Sequence, residues 1–372
     1  MLKIGITGQA GFVGTHLYNT IGLFSEEFER IDFQKKYFED STKLNDFVAQ
    51  CDVIVHLAAM NRHNDPQVIY ETNIDLVKRL IKALEVTSSK AHVLFSSSAQ
   101  EERDNPYGKS KKEGRELMID WAKRSGGKFS GMIIPNVFGP FGHPNYNSVV
   151  ATFCYKLSHN EKPSIDVDGD LKLIYVGELV AAILNEIRNQ KSNHEIVVQH
   201  TSESTVSKIL SLLEKYKSEY QDKGIILSIN NTFELNLFNT YRCYMDIKNH
   251  FPLKFVEHTD PRGSFVEIIR LGVGGQVSFS TTVPGITRGN HFHTRKIERF
   301  AVIKGKALIQ LRRIGTDEVL DFYLDGNEPS YVDMPIWYTH NIKNIGDEVL
   351  YTNFWINEFY DPNDPDTYFE NV

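Results

Sequence analysis

The sequence predicts two folds in succession: a doubly wound parallel α/β sheet and, after it, an all-β barrel or sandwich. Up to about residue 220, short apolar runs alternate with helical patterns, which is typical of parallel β-α-β units. After about residue 245, short strand-like segments are separated by Gly, Pro, Asp and Asn turns, without a long amphipathic helical pattern. We therefore expect two domains, at residues 1–246 and 247–372.

Hydrophobic periodicity places the individual elements. In the first half, apolar runs predict strands at residues 4–7, 28–33, 53–57 and 93–96, and apolar residues at helical spacing predict a helix over residues 68–84. In the second half, strands are predicted at residues 275–281, 300–303 and 307–311.

Composition excludes several classes of protein. The 372 residues are 41% hydrophobic and 24% charged, which is ordinary for a globular chain, and the formal net charge of −7 argues against a general nucleic-acid binder. The three cysteines lie too far apart for a disulfide framework or a zinc knuckle. No apolar stretch reaches the ~20 residues of a membrane helix, so we expect no membrane partner and a cytoplasmic location.

A glycine-rich turn, TGQAGFVG, follows the first predicted strand directly. Its glycines, Gly8, Gly11 and Gly14, are three residues apart, a spacing that allows a tight turn and brings the backbone close to a pyrophosphate at a helix N-terminus. A plain strand-to-helix turn is the alternative. Asp32 lies 18 residues beyond Gly14, where a carboxylate would bind the ribose hydroxyls of a dinucleotide.

The segment YGKSK places Tyr107 and Lys111 four residues apart, on one face of a predicted helix. A neighbouring ammonium is expected to lower the pKa of the tyrosine, so that the phenol can exchange a proton near neutral pH. Ser98, at the end of the preceding strand, could hydrogen-bond the same substrate oxygen. Such a pair alone often lies on a solvated helix face, but here it follows the glycine turn and the serine.

Together these residues resemble the extended short-chain dehydrogenase/reductase family of sugar-nucleotide enzymes, which has a Rossmann-type fold. The segments HLAAMNR (56–62) and PNVFGP (135–140) match further family segments in the same order. The resemblance implies catalytic roles for Ser98, Tyr107 and Lys111. It also implies a nicotinamide site formed by Gly8, Gly11, Phe12, Val13, Gly14, Asp32, Leu57, Ala58 and Lys111.

The identity of the nicotinamide stays open at this point. Asp32 favours NADH because a carboxylate repels a 2′-phosphate, whereas Lys35 and Lys36 could bind one and so favour NADPH.

Three polar residues of the family segments could either pack and hydrogen-bond the backbone or act directly in catalysis, and they are not counted among the predicted catalytic residues. These are His56, Asn73 and Asn136, of which Asn136 is a candidate substrate contact. The family often has an arginine where Ile133 stands.

A second constellation lies in GITRGNHFHTRKIERFAVIKG and in PIWYTHNIKN. It contains His291, His293 and Glu298, with His340 further along the chain. The two-residue period of a strand puts the first two histidines on one face. Three imidazoles and one carboxylate suit zinc, nickel, iron or manganese.

Both motifs resemble those of the cupin family, which implies a small β-barrel; a barrel that has lost its metal is the alternative. Trp337 stands where the second motif usually has glycine, and it would narrow the barrel mouth or offer a stacking surface. The segments DPRGSFVE and TRGNH are similar to those by which cupin deoxysugar 3,5-epimerases hold a nucleotide-sugar. The implied substrate contacts are Arg262, Phe265, Glu267 and Arg288, with a surface ion pair as the alternative for Arg262 and Glu267.

The order of the two domains resembles the bifunctional enzymes of bacterial capsular-polysaccharide synthesis. The segments PNYNSV (144–149) and DPNDPDTYF (361–369) extend this resemblance. It implies a homodimer with bound zinc that acts on a UDP-linked 2-acetamido-2,6-dideoxy-4-ketohexose. The cupin domain would epimerise carbon 3, and the other domain would reduce the 4-ketone with NADPH to UDP-2-acetamido-2,6-dideoxy-L-talose, a precursor of N-acetyl-L-fucosamine.

Two further hypotheses stay open. One is a single-activity reductase or dehydratase whose cupin serves only for assembly, and the other is a non-enzymatic sensor of nucleotide and sugar. The base of the cupin site is also open, because His291 corresponds to the base of metal-free cupin epimerases but is here a candidate ligand.

Overall fold

The computed structural model describes residues 1–261, 263–269, 271–272 and 274–372, without the side chains of residues 259, 260 and 263–265. This part of the chain forms two compact units. One comprises Met1–Thr152 and Asp166–Val206, and the other comprises Phe153–Ile165 and Ser207–Val372.

The first unit contains a parallel sheet with helices on both faces. Its strands are β1 Leu2–Thr7, β2 Phe28–Ile31, β3 Val53–His56, β4 His92–Ser98, β5 Phe129–Ile134, β6 Asn136–Phe138, β7 Asp170–Tyr175, β8 Asn193–Val197 and β9 Ser202–Thr205. Its helices are α1 Phe12–Gly22, α2 Ser41–Gln50, α3 Pro66–Val86, α4 Pro106–Ser125, the first residues of α5 Val149–Ser158, and α6 Val176–Asn189. Short 3-10 turns cover Lys35–Glu39 and Ala99–Glu102.

Six strands form the main sheet in the order β2-β1-β3-β4-β5-β8, all parallel. β3 is buried along its whole length, as expected for a central strand covered on both faces. Leu80 of α3 and Trp121 of α4 pack in the core on one face, and Leu17 of α1 and Ile183 of α6 pack in the core on the other. The predicted doubly wound α/β fold is confirmed, and the predicted strands and helix differ from the observed ones by at most two residues at each end.

Parallel strands bring their carboxyl ends to one edge of the sheet. The glycine turn follows β1, His56 ends β3, and Ser98 ends β4, so these three groups meet at that edge. A small sheet of order β6-β7-β9 carries Asn136 at the start of β6.

The second unit is an antiparallel β domain with a helical segment. Its strands are β10 Leu253–Lys254, β11 Glu257–Asp260, β12 Gly263–Val266, β13 Gln276–Thr282, β14 Thr287–Phe292, β15 Glu298–Lys304, β16 Lys306–Arg313, β17 Val319–Asp325, β18 Ser330–Met334, β19 Tyr338–Asn344, β20 Leu350–Ile356 and β21 Tyr368–Phe369. Its helices are α7 Val206–Lys215, which begins at the last residue of the first unit, a π-helical turn Tyr216–Gln221, α8 Thr232–Arg242 and α9 Ile247–His250.

Two five-stranded antiparallel sheets, β10-β18-β15-β20-β13 and β17-β16-β19-β14-β21, enclose the core of this unit. Val302 of β15, Ile309 of β16 and Ile342 of β19 are among its buried residues. The predicted all-β second fold, of the cupin type, is confirmed.

A buried ionic network ties the helical segment of the second unit to its strands. Arg299 donates to both oxygens of Asp333 at 2.7 and 3.0 Å, and the Tyr220 hydroxyl donates to Asp333 at 2.6 Å. Arg242 donates to the Tyr220 hydroxyl at 3.1 Å and to the Met334 carbonyl at 2.8 Å. Residues 207–246 therefore pack with the strands of the second compact unit. The domain boundary at residue 247 stays a prediction.

None of the helices in the described part of the chain combines the length and the apolar composition that crossing a bilayer requires.

Candidate functional site

The turn after β1 has a backbone conformation and a close packing that require glycine. Gly8 has φ +79, and the Gly11 amide donates to its carbonyl at 2.9 Å. A Cβ on Gly14 would lie 2.1 Å from the Gly8 carbonyl oxygen, and one on Gly8 would lie 2.8 Å from the Ala58 nitrogen. With no side chain at the cap of α1, the first helical amides are open to a phosphate, so these residues fit a nicotinamide dinucleotide.

The predicted catalytic residues and most of the predicted cofactor residues line one cavity of about 550 Å³. Those lining it are Gly8, Gly11, Phe12, Val13, Gly14, Leu57, Ser98, Tyr107 and Lys111, together with the substrate candidate Asn136. The cavity lies at the carboxyl edge of the sheet, where ligands of doubly wound folds bind.

Asp32 lines a second cavity, of about 510 Å³, together with Arg30, Lys36 and Lys43. The Tyr18 hydroxyl donates to Asp32 Oδ1 at 2.7 Å, so this carboxylate already has a donor.

Ser98 and Tyr107 are placed by the end of β4 and the start of α4. The Asn105 side chain caps α4 by accepting from the Gly108 amide at 2.7 Å, and Pro106 begins the helix. Tyr107 therefore lies in the first turn of α4. The Ser98 hydroxyl accepts from the Gln100 amide at 3.2 Å and hydrogen-bonds Tyr107.

The ammonium of Lys111 is buried and held by uncharged groups. Its Nζ donates to the Ser96 carbonyl at 2.7 Å and lies 5.9 Å from the centre of the Tyr107 ring. Burial lowers the pKa of Lys111 to about 8. Burial, reinforced by the nearby Tyr146, raises the pKa of Tyr107 to about 12, although the hydrogen bond with Ser98 opposes the rise. The predicted lowering of the Tyr107 pKa is therefore wrong, because loss of solvent dominates.

His56 and Asn73 have structural partners. His56 Nδ1 hydrogen-bonds the Thr7 hydroxyl at 2.7 Å, and burial lowers the pKa of His56 to about 3, which keeps its ring neutral. Asn73 accepts from the Met60 amide at 2.7 Å and donates to the Met60 carbonyl at 2.9 Å, so it fixes the segment after β3.

The lining of the first cavity includes residues that the sequence does not predict. His143 and Tyr146 line it. Arg62 holds their loop by donating to the carbonyls of Asn145 at 2.7 Å and Tyr146 at 2.8 Å. The only sequence signal was the PNYNSV segment, which spacing alone does not connect to Arg62.

In the second unit, the four predicted metal ligands come together. His291, His293, Glu298 and His340 each offer one ligand atom, and these atoms all lie within 4.8 Å of one another. β14 and β19 pair His291 directly with His340, and Glu298 begins β15. The register of β14 shifts between Gly289 and His291, and β14 ends before His293, so the predicted strand alternation holds only in part.

The charges of this cluster suit a cation. Glu298 Oε2 lies 3.0 Å from His293 Nε2 and 3.2 Å from His340 Nε2, yet these three buried atoms lack a hydrogen-bond partner in the described part of the chain. Burial opposes ionisation of Glu298, but the neighbouring His293 and His340 hold its pKa below its usual range. Burial lowers the pKa of His291 to about 4, so its ring is neutral, the form that binds metal. The donor set therefore fits a divalent metal.

Trp337 adopts φ +62, which explains why the motif usually has glycine there. Its ring is buried and stacks on Phe292 at 5.5 Å instead of offering an open stacking surface, and its amide donates to the His293 carbonyl at 2.8 Å.

The predicted nucleotide-sugar contacts stay predictions. Arg288 lies on β14, is exposed, and donates to the Thr281 carbonyl at 3.2 Å. Glu267 follows β12 and is exposed. Arg262 and the side chain of Phe265 lie outside the described residues.

Comparisons with known proteins agree with this architecture. The NAD dependent epimerase/dehydratase family matches residues 4–198, and the polysaccharide biosynthesis C-terminal domain matches residues 258–368. The chain is 35% identical to the capsular polysaccharide assembling protein CapF from Staphylococcus aureus, with a TM-score of 0.63 and complete coverage of both chains. The chain belongs to the CapF group of the NAD dependent epimerase/dehydratase family.

Two other relatives support membership of the CapF group. A structure of CapF with the inhibitor 3-isopropenyl-tropolone is 33% identical, with a TM-score of 0.60 and complete coverage of both chains. A UDP-2-acetamido-2,6-beta-L-arabino-hexul-4-ose reductase from Pseudomonas aeruginosa is 30% identical over 99% of this chain and 98% of its own length. Membership of the family confirms the nicotinamide dependence, and the predicted resemblance to bifunctional capsular enzymes is confirmed at the level of the group.

Proposed function

We propose that this protein is a bifunctional enzyme of capsule or O-antigen synthesis that acts on a UDP-2-acetamido-2,6-dideoxy-4-ketohexose. The barrel epimerises carbon 3, and the α/β unit then reduces the 4-ketone with NADPH to UDP-2-acetamido-2,6-dideoxy-L-talose, a precursor of N-acetyl-L-fucosamine. The observation that carries the reductase activity is the single cavity shared by the glycine turn, Ser98, Tyr107 and Lys111. The name of the P. aeruginosa relative supports a 4-keto amino sugar as substrate.

In the reduction, the glycine turn would hold a nicotinamide, whose chemistry is to supply a hydride, here to carbon 4. Tyr107 donates its phenolic proton to the oxygen of the former ketone, so the product is a neutral alcohol. A phenol with a pKa of about 12 is still a stronger acid than an alcohol, so this transfer runs toward the product. Ser98 orients the ketone oxygen beside Tyr107, and the charge of Lys111 stabilises the phenolate that remains.

The second cavity supports NADPH over NADH. Cationic groups from Arg30, Lys36 and Lys43 outnumber the two carboxylates that line it, and the Tyr18 hydroxyl engages Asp32. The Arg30 guanidinium lies over the Tyr18 ring at 4.4 Å, next to that hydrogen bond. A 2′-phosphate would face these cations. A higher kcat/KM with NADPH than with NADH is the expected result, and the reverse order contradicts the cofactor assignment.

Epimerisation is chemically reasonable because the proton on carbon 3 is acidic next to the ketone. Its removal gives an enolate, which is protonated on the opposite face before reduction removes the ketone. His291, His293, Glu298 and His340 would hold a zinc ion, whose chemistry is to polarise an oxygen and stabilise negative charge. The homodimer, the zinc, the cytoplasmic location and the contacts of Asn136, Arg262, Phe265, Glu267 and Arg288 belong to this proposal.

Solvent exchange tests the two activities separately. The 4-keto sugar nucleotide is incubated with the protein in D₂O, without nicotinamide, and carbon 3 is followed by NMR. We expect deuterium at carbon 3, followed by the reduced sugar when NADPH is added. Reduction without prior exchange would favour a single-activity reductase whose barrel serves for assembly. The absence of both exchange and reduction contradicts the proposed function.

A further inference from the structure

The tail of the chain, residues 361–371, runs across the histidine cluster. β21 in this tail pairs with β14 so that Phe369 lies opposite His291 and Tyr368 lies opposite Phe292. The Thr339 hydroxyl, next to His340, donates to the Glu370 carbonyl. The tail therefore touches the segments that carry both motifs of the cluster.

Asp366 is a buried residue of the tail, 2% exposed, and its carboxylate accepts several hydrogen bonds from the segment after His293. Its Oδ1 accepts from the Thr294 amide at 3.0 Å and from the Thr294 hydroxyl at 2.6 Å. Its Oδ2 accepts from the amides of Arg295 and Lys296, both at 3.0 Å. One carboxylate thus organises three consecutive backbone amides of the loop that joins His293 to Glu298.

The backbone of Asp366 acts on His293 itself. The Asp366 carbonyl accepts a hydrogen bond from His293 Nδ1, which leaves Nε2, the atom beside Glu298, free to bind a metal. Asp366 has φ +40, a conformation that aspartate and asparagine tolerate better than most residues. The neighbouring Pro365 carbonyl accepts from the buried Lys296 ammonium at 2.6 Å, which reinforces the same arrangement.

We infer that Asp366 is a positioning residue of the metal centre: it fixes the tautomer of His293 and the path of the loop between His293 and Glu298. The inference rests on the proposed metal site. Asp366 is not one of the four residues that offer a ligand atom, so it acts through His293 and the loop. The tail is then part of the metal centre, although neither metal-binding motif includes it.

The test substitutes Asp366→Asn in the full chain. Asparagine keeps the size and tolerates the same backbone conformation, but its NH₂ group faces backbone amides that need an acceptor. The matched control is Asp364→Asn, which removes the same charge from an exposed tail carboxylate that contacts Arg295 at 2.8 Å. Metal-free protein is titrated with Zn²⁺ in competition with a chelator, and with Co²⁺ to read its visible absorption.

We expect Asp366→Asn to weaken Zn²⁺ binding about 10–100-fold and to change the Co²⁺ spectrum, while Asp364→Asn leaves both as in the wild type. Wild-type affinity in Asp366→Asn, or equal weakening in Asp364→Asn, overturns the inference and leaves the metal site intact. A wild-type protein that binds no Zn²⁺ overturns the metal site itself.

A second variant covers the case in which Asp366→Asn fails to fold by near-UV circular dichroism. Thr294→Val removes a single hydrogen bond to Asp366 with little change in shape. We expect weaker Zn²⁺ binding in the same direction and to a smaller extent, and unchanged binding contradicts the inference.

Discussion

In the first compact unit, Ser98, Tyr107 and Lys111 lie within one strand, one turn and one helix that follow each other in the chain. In the second unit, the histidine cluster joins residues 291–298 to His340, and its support comes from Asp366. The first site needs one correctly placed β-α unit, whereas the second needs strand pairing between β14 and β19 and a docked tail.

The two sites also handle buried charge differently. Lys111 is buried against a carbonyl and a hydroxyl in the wall of an open cavity. In the cluster, the charge of Glu298 lies beside two imidazoles. The first arrangement leaves a cation available to act on a ligand, and the second suits the binding of one ion.

The largest expected effect is on the rate of reduction. Tyr107→Phe removes the proton donor, so kcat for oxidation of NADPH should fall about 10²–10⁴-fold in a spectrophotometric assay. The exchange of the proton on carbon 3, which we place in the barrel, should continue. The control is Tyr70→Phe, on α3, whose hydroxyl donates to Glu113 outside the cavity. Loss of exchange along with reduction contradicts two separate sites.

The next effect concerns stability in the second unit. Arg299→Met leaves the carboxylate of Asp333 buried without its ionic partner, so the free energy of unfolding should fall by about 3–5 kcal/mol. Lys304→Met on the same strand is the control, because its pair with Glu348 is exposed and is worth at most about 1 kcal/mol. Denaturant titration measures both variants. If both variants lose the same free energy of unfolding, the buried ionic network does not stabilise the packing of the helical segment on the strands.

Removal of one ligand tests the cluster directly. His291→Ala should weaken Zn²⁺ binding by at least about 100-fold, because even outer-shell changes cost about 10–100-fold. His258→Ala is the matched control, because His258 is an exposed residue of β11 in the same unit. Chelator competition gives both affinities. Unchanged binding in His291→Ala means that the ligand set is wrong.

The sequence predicted the parts of each site that short spacing determines. The glycine turn, the Tyr107–Lys111 pair and the cluster residues from His291 to Glu298 lie in short segments, whose spacing is a local property. His340 lies far along the chain from them, and it is predicted from the resemblance of its own segment, PIWYTHNIKN, to the second cupin motif. The fold followed from strand and helix periodicity in the same way. The sequence did not predict that Arg62 contacts the loop that carries His143 and Tyr146, nor did it predict the role of Asp366. Both contacts join distant parts of the chain: Arg62 and Asn145 are 83 residues apart, and Thr294 and Asp366 are 72 residues apart.

The pKa of Tyr107 shows a second limit. Spacing indicated a nearby lysine but not the depth of burial, and burial dominates the pKa of both Tyr107 and Lys111. Residue identity along a helix does not report how much of that helix the rest of the chain covers.

The smallest expected effect tests that burial. The folded pKa of Lys111 is about 8, below the unfolded value of 10.5, so between pH 8 and 10 the unfolded chain binds more protons. The wild type should therefore gain stability with rising pH in this window, by about 2 kcal/mol relative to Lys111→Met, which lacks the titrating group. Both proteins are unfolded in denaturant at several pH values without nicotinamide. If the free energy of unfolding changes with pH in the same way for both proteins, Lys111 is not a buried charge. If the wild type instead loses stability with rising pH relative to Lys111→Met, the folded pKa of Lys111 is raised, as a neighbouring carboxylate would cause.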